Sequence, residues 1–216
     1  MAAESLLTDP LLSFASIAEA YDQLGHTLGW RFLTCPSRNL ASPKLALITI
    51  NPGGSDYEAP IWSVESGSAY VVESWKGSPP GQARLQLQVR QMFQVLDFDP
   101  AEALSGYLVP FRSKDWTSLR NKDASLQFGL RLWVKILSSA SPQLIVAFGK
   151  DVGTRLAQSL SVVQTQSLPA KWGKQTIDVH RLASRQKFIV LPHLSRFALF
   201  SRAASRDAFL AALRMG

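Results

Sequence analysis

The sequence has 216 residues, of which 46% are hydrophobic, and a formal net charge of +7. This length suits one domain, and the apolar content is ample for one packed core. Residues 1–20 contain no lysine or arginine, and no apolar run approaches the roughly 20 residues of a membrane helix, which argues against a targeting peptide and a membrane span. We therefore expect a soluble, cytoplasmic protein with a single domain at 1–216 and a helical N-terminal segment at about 1–40.

Helical patterns and short apolar strands alternate along the chain. Helices are predicted at residues 10–24, 84–96, 124–138, 151–160 and 197–213, with Asp151 as the N-cap of the fourth. Strands are predicted at residues 44–50, 106–110, 143–148 and 187–191. Nearly continuous apolar strands are typical of a parallel sheet with both faces covered. The sequence thus predicts an α/β fold with three α/β/α layers and a central, mostly parallel, four-stranded sheet.

Polar segments follow the predicted strands, and ligands of an open parallel sheet bind beyond the carboxyl ends of its strands. These segments are NPGGS at 51–55, FRS at 111–113, GKD at 149–151 and PHLSR at 192–196. We expect the loops after Ile50 and Leu191 to lie side by side at one edge of the sheet. Asn51 and His193 would then line one pocket.

The same segments resemble the motifs of the uracil-DNA glycosylase superfamily. ITINPGG at 48–54 is similar to the first motif in the mismatch-specific and single-strand-selective branches, and LPHLSR at 191–196 is similar to the second motif. PQLIVAFGKDVGTRL at 142–156 resembles the strand–glycine–helix unit between the motifs, and YLVPFRS at 107–113 resembles the second strand. Order and spacing agree from residue 44 to about residue 213.

This resemblance implies a monomeric, monofunctional DNA glycosylase that hydrolyses the N-glycosidic bond of uracil or a related damaged base during base excision repair. Cleavage generates a sugar cation and a nucleobase anion, so the site must place a water and stabilise the anion. The resemblance gives the catalytic tasks to Asn51, which can hold a water, and to His193, which can donate a hydrogen bond to the departing base.

Other residues are implied in binding the flipped base and the DNA. Contacts with the base are expected from Pro52, Gly53, Gly54 and Tyr107, and contacts with DNA from Leu194, Ser195, Arg196 and Phe197. Leu194, Arg196 and Phe197 are candidates for the wedge that fills the space left by the base. The long loop at 52–81, either functional or an ordinary surface excursion, adds three aromatic residues that could stack on a base: Tyr57, Trp62 and Tyr70.

Two departures from the family pattern favour an alternative function. Tyr107 lies at or near the place of an asparagine that reads the uracil edge, and Leu194 stands where proline is usual. A non-catalytic member of the same fold that binds nucleic acid or a nucleotide is therefore a second hypothesis. A small-molecule hydrolase is a third, with Ser113, His193 and Asp151 as an imaginable triad, although no Gly-x-Ser-x-Gly motif supports it.

Cysteine, histidine and charge restrict the partners. The lone Cys35 excludes an iron–sulfur cluster, and the three histidines lack zinc spacing, so we expect neither metal nor cofactor. Residues 1–168 contain 14 Lys/Arg and 14 Asp/Glu, whereas residues 169–216 contain nine and two. Such clustering indicates DNA as a partner, although a solvated basic face is an alternative. Four arginines should lie at least partly on the pocket face: Arg181, Arg185, Arg196 and Arg202.

Overall fold

The computed structural model describes Leu6 and residues 8–215 as an α/β fold, which confirms the predicted class. The helices are α1 (Phe14–Gln23), α2 (Ala69–Val72), α3 (Arg84–Leu96), α4 (Lys122–Ala140), α5 (Lys150–Ser159) and α6 (Ala203–Arg214). The strands are β1 (Leu45–Thr49), β2 (Leu104–Tyr107), β3 (Leu144–Phe148), β4 (Val162–Pro169), β5 (Thr176–Leu182) and β6 (Lys187–Leu191). In the described part of the chain, no helix combines the length and apolar character of a membrane span.

The strands form one six-stranded mixed sheet in the order β2-β1-β3-β6-β5-β4. β2, β1, β3 and β6 run parallel and correspond to the four predicted strands, whereas β5 and β4 add an antiparallel hairpin beside β6. The prediction of four strands is therefore wrong. β4, with the sequence VVQTQSLP, is mostly exposed, so it lacks the apolar run that marks a buried strand.

The second strand spans Leu104–Tyr107 and not the predicted 106–110, and its outer edge is covered by another part of the chain. The N–H of Tyr107 donates to the carbonyl oxygen of Phe32 at 2.9 Å, and the N–H of Thr34 donates to that of Ser105 at 2.8 Å. Gly106 permits this approach, since a Cβ there would lie 2.6 Å from the carbonyl oxygen of Phe32. The β4 side of the sheet has no comparable cover among the described residues.

Helices pack on both faces of the sheet. Successive residues of a strand point to opposite faces. On β1, Ala46 and Ile48 join a hydrophobic cluster that includes residues of α4 and α5, and Leu45 and Leu47 join one that includes residues of α3 and α6. The carboxyl end of β1 therefore emerges between two buried layers, which fixes the position of the residues that follow it.

The predicted start of α5 is wrong by one residue. The helix begins at Lys150, and Gly149, with φ of +96°, is its N-cap in place of Asp151. The N–H of Gly149 donates to the carbonyl oxygen of Leu191 at 2.8 Å, so the chain turns sharply as it leaves β3. Asp151 lies exposed in the first helical turn, where a carboxylate complements the positive end of the helix.

Candidate functional site

The two loops with the predicted catalytic residues lie at the same edge of the sheet. β1 and β6 both pair in parallel with β3, so Asn51 and His193 follow strands that end at a common carboxyl edge. The loops are not directly adjacent, however, because β3 lies between their strands. Gly149, at the end of β3, lies beside the His193 loop: a Cβ there would lie 3.6 Å from Cδ2 of His193.

Asn51 is held in one orientation by its amide nitrogen. Nδ2 donates to the carbonyl oxygens of Pro52 and Phe111, each at 3.2 Å, and to Oγ of Ser113 at 2.8 Å. Carbonyl oxygens can only accept, so the nitrogen must face them. Because these acceptors use the nitrogen, Oδ1 is the atom of this side chain that remains for a ligand, and it can only accept a hydrogen bond.

The glycine loop after Asn51 is braced by the segment after β2. The N–H of Gly54 donates to the carbonyl oxygen of Ser113 at 3.0 Å, and the N–H of Ser113 donates to that of Pro52 at 3.2 Å. Nη1 of Arg112 donates to the carbonyl oxygen of Gly53 at 2.6 Å. Pro52 is buried, whereas Gly53 is exposed and a Cβ there would meet no atom within 4 Å. Within this loop, Gly53 is thus the backbone position open to a ligand.

Gly54 approaches a protein side chain. Its φ is +146°, and a Cβ added there would collide with Nη1 of Arg112. Arg112 also forms an ion pair with Glu58, which ties the glycine loop to the long loop that follows. Arg112 is not among the predicted site residues, although it lies in the YLVPFRS segment. Its position between two loops shows only in the folded chain.

His193 is fixed as a neutral hydrogen-bond donor. Nδ1 accepts from the backbone N–H of Ser195 at 3.3 Å and lies 2.7 Å from Oγ of Ser195. A backbone N–H can only donate, so Nδ1 carries no proton and the ring proton is on Nε2. Burial, with a smaller effect from the nearby Arg196 guanidinium, lowers the pKa of His193 and favours this neutral form. The Nε2–H group remains as a donor.

The four residues after His193 have different environments. Leu194 is 0% exposed and belongs to the hydrophobic core, so its assignment as a DNA contact and wedge is wrong for this conformation. Ser195 is half-buried and bonded to His193, and Arg196 is exposed. Phe197 is half-buried, with its ring centroid 6.5 Å from that of Trp172 in an edge-on arrangement. Of these four residues, Arg196 is the exposed one.

Tyr107 ends β2 opposite Thr49 of β1, close to the Asn51 loop. Burial raises the pKa of its hydroxyl, an effect that Arg31 opposes and Glu73 reinforces, so the phenol stays protonated at neutral pH. No described residue hydrogen-bonds to this hydroxyl. A phenol offers one oxygen that donates and accepts, whereas an amide offers a separate donor and acceptor.

The proposed hydrolase triad is not assembled, which corrects that hypothesis. Oγ of Ser113 bonds with Asn51 and with the carbonyl oxygen of Asp115, while Nδ1 of His193 bonds with Ser195. Asp151 is an exposed helical residue. A triad requires the serine and the carboxylate on the two nitrogens of one histidine, and these contacts provide neither.

The other two histidines and the candidate aromatic residues of the long loop differ in how deeply they are buried. His26 is buried, bonds Oγ of Ser125 at 2.9 Å, and its burial lowers its pKa to about 4. Tyr70 is 1% exposed, whereas Tyr57 is 64% exposed. His180 lines a groove of about 310 Å³ beside α5, which includes none of the predicted site residues. Of the three loop aromatics, Tyr57 is thus the exposed one, while Trp62 is half-buried.

Two of the four predicted arginines lie at the wrong end of the sheet. Arg181 pairs with Lys187, the first residue of β6, and Arg185 lies in the turn that enters β6. Both are therefore at the amino end of β6, whereas His193 follows its carboxyl end. The prediction for Arg181 and Arg185 is wrong because β5 runs antiparallel to β6. Arg196 and Arg202 follow β6 and lie on the side of the site.

Neither the metal-binding side chains nor the comparison with known proteins assigns a function to this site. Among the described residues, no group of three or more His, Cys, Asp or Glu side chains is placed to hold a metal ion. A scan against protein-family models and a search of the curated proteins both find no match to this chain. The resemblance to the glycosylases therefore depends on the four sequence motifs.

Proposed function

We propose that this protein is a monofunctional DNA N-glycosylase that excises uracil or a related damaged base. The observation that carries the proposal is the pair of complementary groups at one sheet edge. Asn51 offers a fixed acceptor, Oδ1, and His193 offers a fixed neutral donor, Nε2–H. Hydrolysis of a glycosidic bond needs both kinds of group, one for the water and one for the departing base.

In the proposed reaction, Oδ1 of Asn51 accepts a hydrogen bond from a water below the sugar. The bond between C1′ and the base nitrogen breaks, and its electron pair leaves with the base. The water oxygen then bonds to C1′, and its released proton passes to solvent. Asn51 has no titrating group and cannot act as a strong base, so its task is to orient the water.

His193 would act on the other product of the cleavage. A base that leaves as an anion develops charge on its carbonyl oxygen, and Nε2–H can donate to that oxygen. The donor needs no reorganisation, because Ser195 already fixes the ring and its tautomer. Preorganised donors of this kind are worth about 10²–10³ in rate. Exposed Gly53 would allow the backbone to approach the flipped base.

One observation favours a second function, a non-catalytic module that binds nucleic acid or a nucleotide. Tyr107 presents a protonated phenol where an amide would read both a donor and an acceptor of uracil. A phenol can bind a base without selecting uracil. Under this hypothesis, the same edge binds a nucleotide and releases no base.

The test is single-turnover excision from oligonucleotides that contain uracil, hypoxanthine or xanthine, with alkaline cleavage of the abasic product. Asn51→Ala should lower the rate about 10²–10³-fold if Oδ1 orients the water. The same variant also loses three loop contacts, so Ser113→Ala is the matched control. Ser113→Ala removes the 2.8 Å partner but keeps Oδ1, and it should retain most of the rate.

The outcomes separate the hypotheses. If both variants lose activity equally, Asn51 acts only by bracing the loop, and the proposed water-binding role is wrong. If wild-type protein binds DNA but releases no base from any substrate, the binding module replaces the enzyme. Thermal melting of each variant checks that the fold is intact.

A further inference from the structure

The antiparallel hairpin of β4 and β5 extends the site edge of the sheet. Asp178 of β5 pairs with Val190 of β6, so the start of β5 lies level with the carboxyl end of β6. The turn at residues 170–175 therefore projects beyond that end, next to the His193 loop. This hairpin is absent from the predicted strands, and its turn contains Lys171, Trp172 and Lys174.

Exposed cations from three segments lie near this turn, and we call this surface the basic rim. It comprises Arg84, Lys171, Lys174, Arg196 and Arg202, all of which are exposed. Nη2 of Arg84 donates to the carbonyl oxygen of Arg196 at 3.1 Å. The guanidinium carbon of Arg202 lies 4.7 Å from the centroid of Trp172, whose ring also contacts Phe197. Direct contacts thus join the helix, the loop and the hairpin turn.

The cations of the rim form no ion pair with a described residue. The segments that form it, residues 82–96, 169–175 and 192–206, contain no Asp or Glu. The ion pairs between described residues use Arg31, Arg112, Lys135 and Lys150, none of which belongs to the rim. Asp178, the acid closest in sequence to the turn, is paired with Lys150. Unpaired cations on one edge attract a polyanion.

We propose that the basic rim binds the phosphodiester backbone of a DNA strand on the β6 side of the site. Cations that track a backbone give affinity without sequence selection. Trp172 acts as a positioning residue. The guanidinium of Arg202 covers one face of its ring, and this contact holds the guanidinium in the rim. The choice of DNA rests on the proposed function, whereas the location of the strand follows from the rim itself.

The experiment compares two double variants with the same change in net charge. Lys171→Glu with Lys174→Glu reverses two cations of the rim. Arg155→Glu with Arg185→Glu reverses two exposed cations outside it, on α5 and in the turn that enters β6. Binding is measured by fluorescence anisotropy with single-stranded and duplex oligonucleotides that lack any excisable base, over a series of salt concentrations, after thermal melting confirms the fold.

We expect the rim variant to bind at least tenfold more weakly than wild type and the control variant to remain near wild type. The slope of log affinity against log salt should become shallower by roughly 0.7 per lost phosphate contact on single-stranded DNA and 0.9 on duplex. Equal weakening by both variants, or no weakening by the rim variant, would overturn the inference.

The result is independent of excision. If the rim variant binds weakly while wild type releases no base, the rim stands and the glycosylase proposal fails. If wild type releases base while the rim variant binds normally, the glycosylase stands and the rim inference fails. The decrease in the salt slope from wild type to the rim variant, compared between single-stranded and duplex oligonucleotides, shows which of the two the rim prefers.

Discussion

Strand β5 connects two turns with similar chemistry and opposite positions. Lys171 lies in the turn before it with φ of +56°, and Arg185 lies in the turn after it with φ of +68°. Both side chains are exposed cations. The first turn projects beside the His193 loop, whereas the second lies at the amino end of β6. Exposed cations in two turns of one strand can thus differ in position relative to the site, because the direction of the strand decides which turn lies beside it.

The largest expected effect tests whether base excision takes place at the carboxyl edge of the sheet. His193→Ala should reduce single-turnover excision about 10²–10³-fold, because the Nε2–H donor is lost. Ser195→Ala should lose less, since the backbone N–H of Ser195 still fixes the tautomer. If His193→Ala kept the wild-type rate, the excision reaction would not use His193 at this edge. Melting curves of both variants provide the control for folding.

Acid pH tests how far a buried histidine outside the site controls the stability of the fold. Burial lowers the pKa of His26 to about 4, whereas a histidine in the unfolded chain titrates near its ordinary value of 6.5. The unfolded chain therefore binds more protons between these values, so the free energy of unfolding should fall as pH drops from about 6.5 to 4. His26 alone should contribute a loss of roughly 3 kcal/mol by pH 4.

Urea unfolding at pH 7, 5.5 and 4 measures this loss. His26→Gln should flatten the profile, although His180 and His193, whose pKa values burial also lowers, still contribute. The variant should be less stable at pH 7, because the 4.3 Å ring contact with Phe111 is lost. An unchanged slope in His26→Gln would show that other groups control the acid response.

A smaller effect tests the stacked tryptophan of the rim. Trp172→Leu should weaken DNA binding about two- to fivefold, because a cation–π contact at an exposed site is worth about 0.5–1 kcal/mol. Trp116→Leu is the matched control, since Nζ of Lys122 lies 5.5 Å from that ring and outside the rim. Equal weakening in fluorescence anisotropy would contradict a specific task for Trp172.

The smallest effect compares the two turns of β5 directly. Lys171→Gly and Arg185→Gly should each stabilise the fold by about 0.5–1 kcal/mol, because the strain of an L side chain in the left-handed region exceeds the extra entropy that glycine loses. The melting temperature should rise by about 1–4 °C in both. Only Lys171→Gly should weaken DNA binding. Equal binding by the two variants would remove the difference between the turns.

The sequence by itself determined the parallel part of the fold and the residues at its edge. β1, β3 and β6 are buried apolar runs, so their position in a covered sheet follows from local composition. Once these strands are parallel, Asn51 and His193 must emerge at one edge. The sequence could not reveal β4, because exposed strands with polar residues have no apolar signal.

The tertiary structure decided the surroundings of those residues. Leu194 follows His193 directly but packs into the core. The amide nitrogen of Asn51 donates a hydrogen bond to Ser113, 62 positions away. The direction of β5 places Lys171 at the site and Arg185 at the far end. Each of these outcomes depends on contacts between distant parts of the chain, and the register of such contacts is set by packing across the whole sheet.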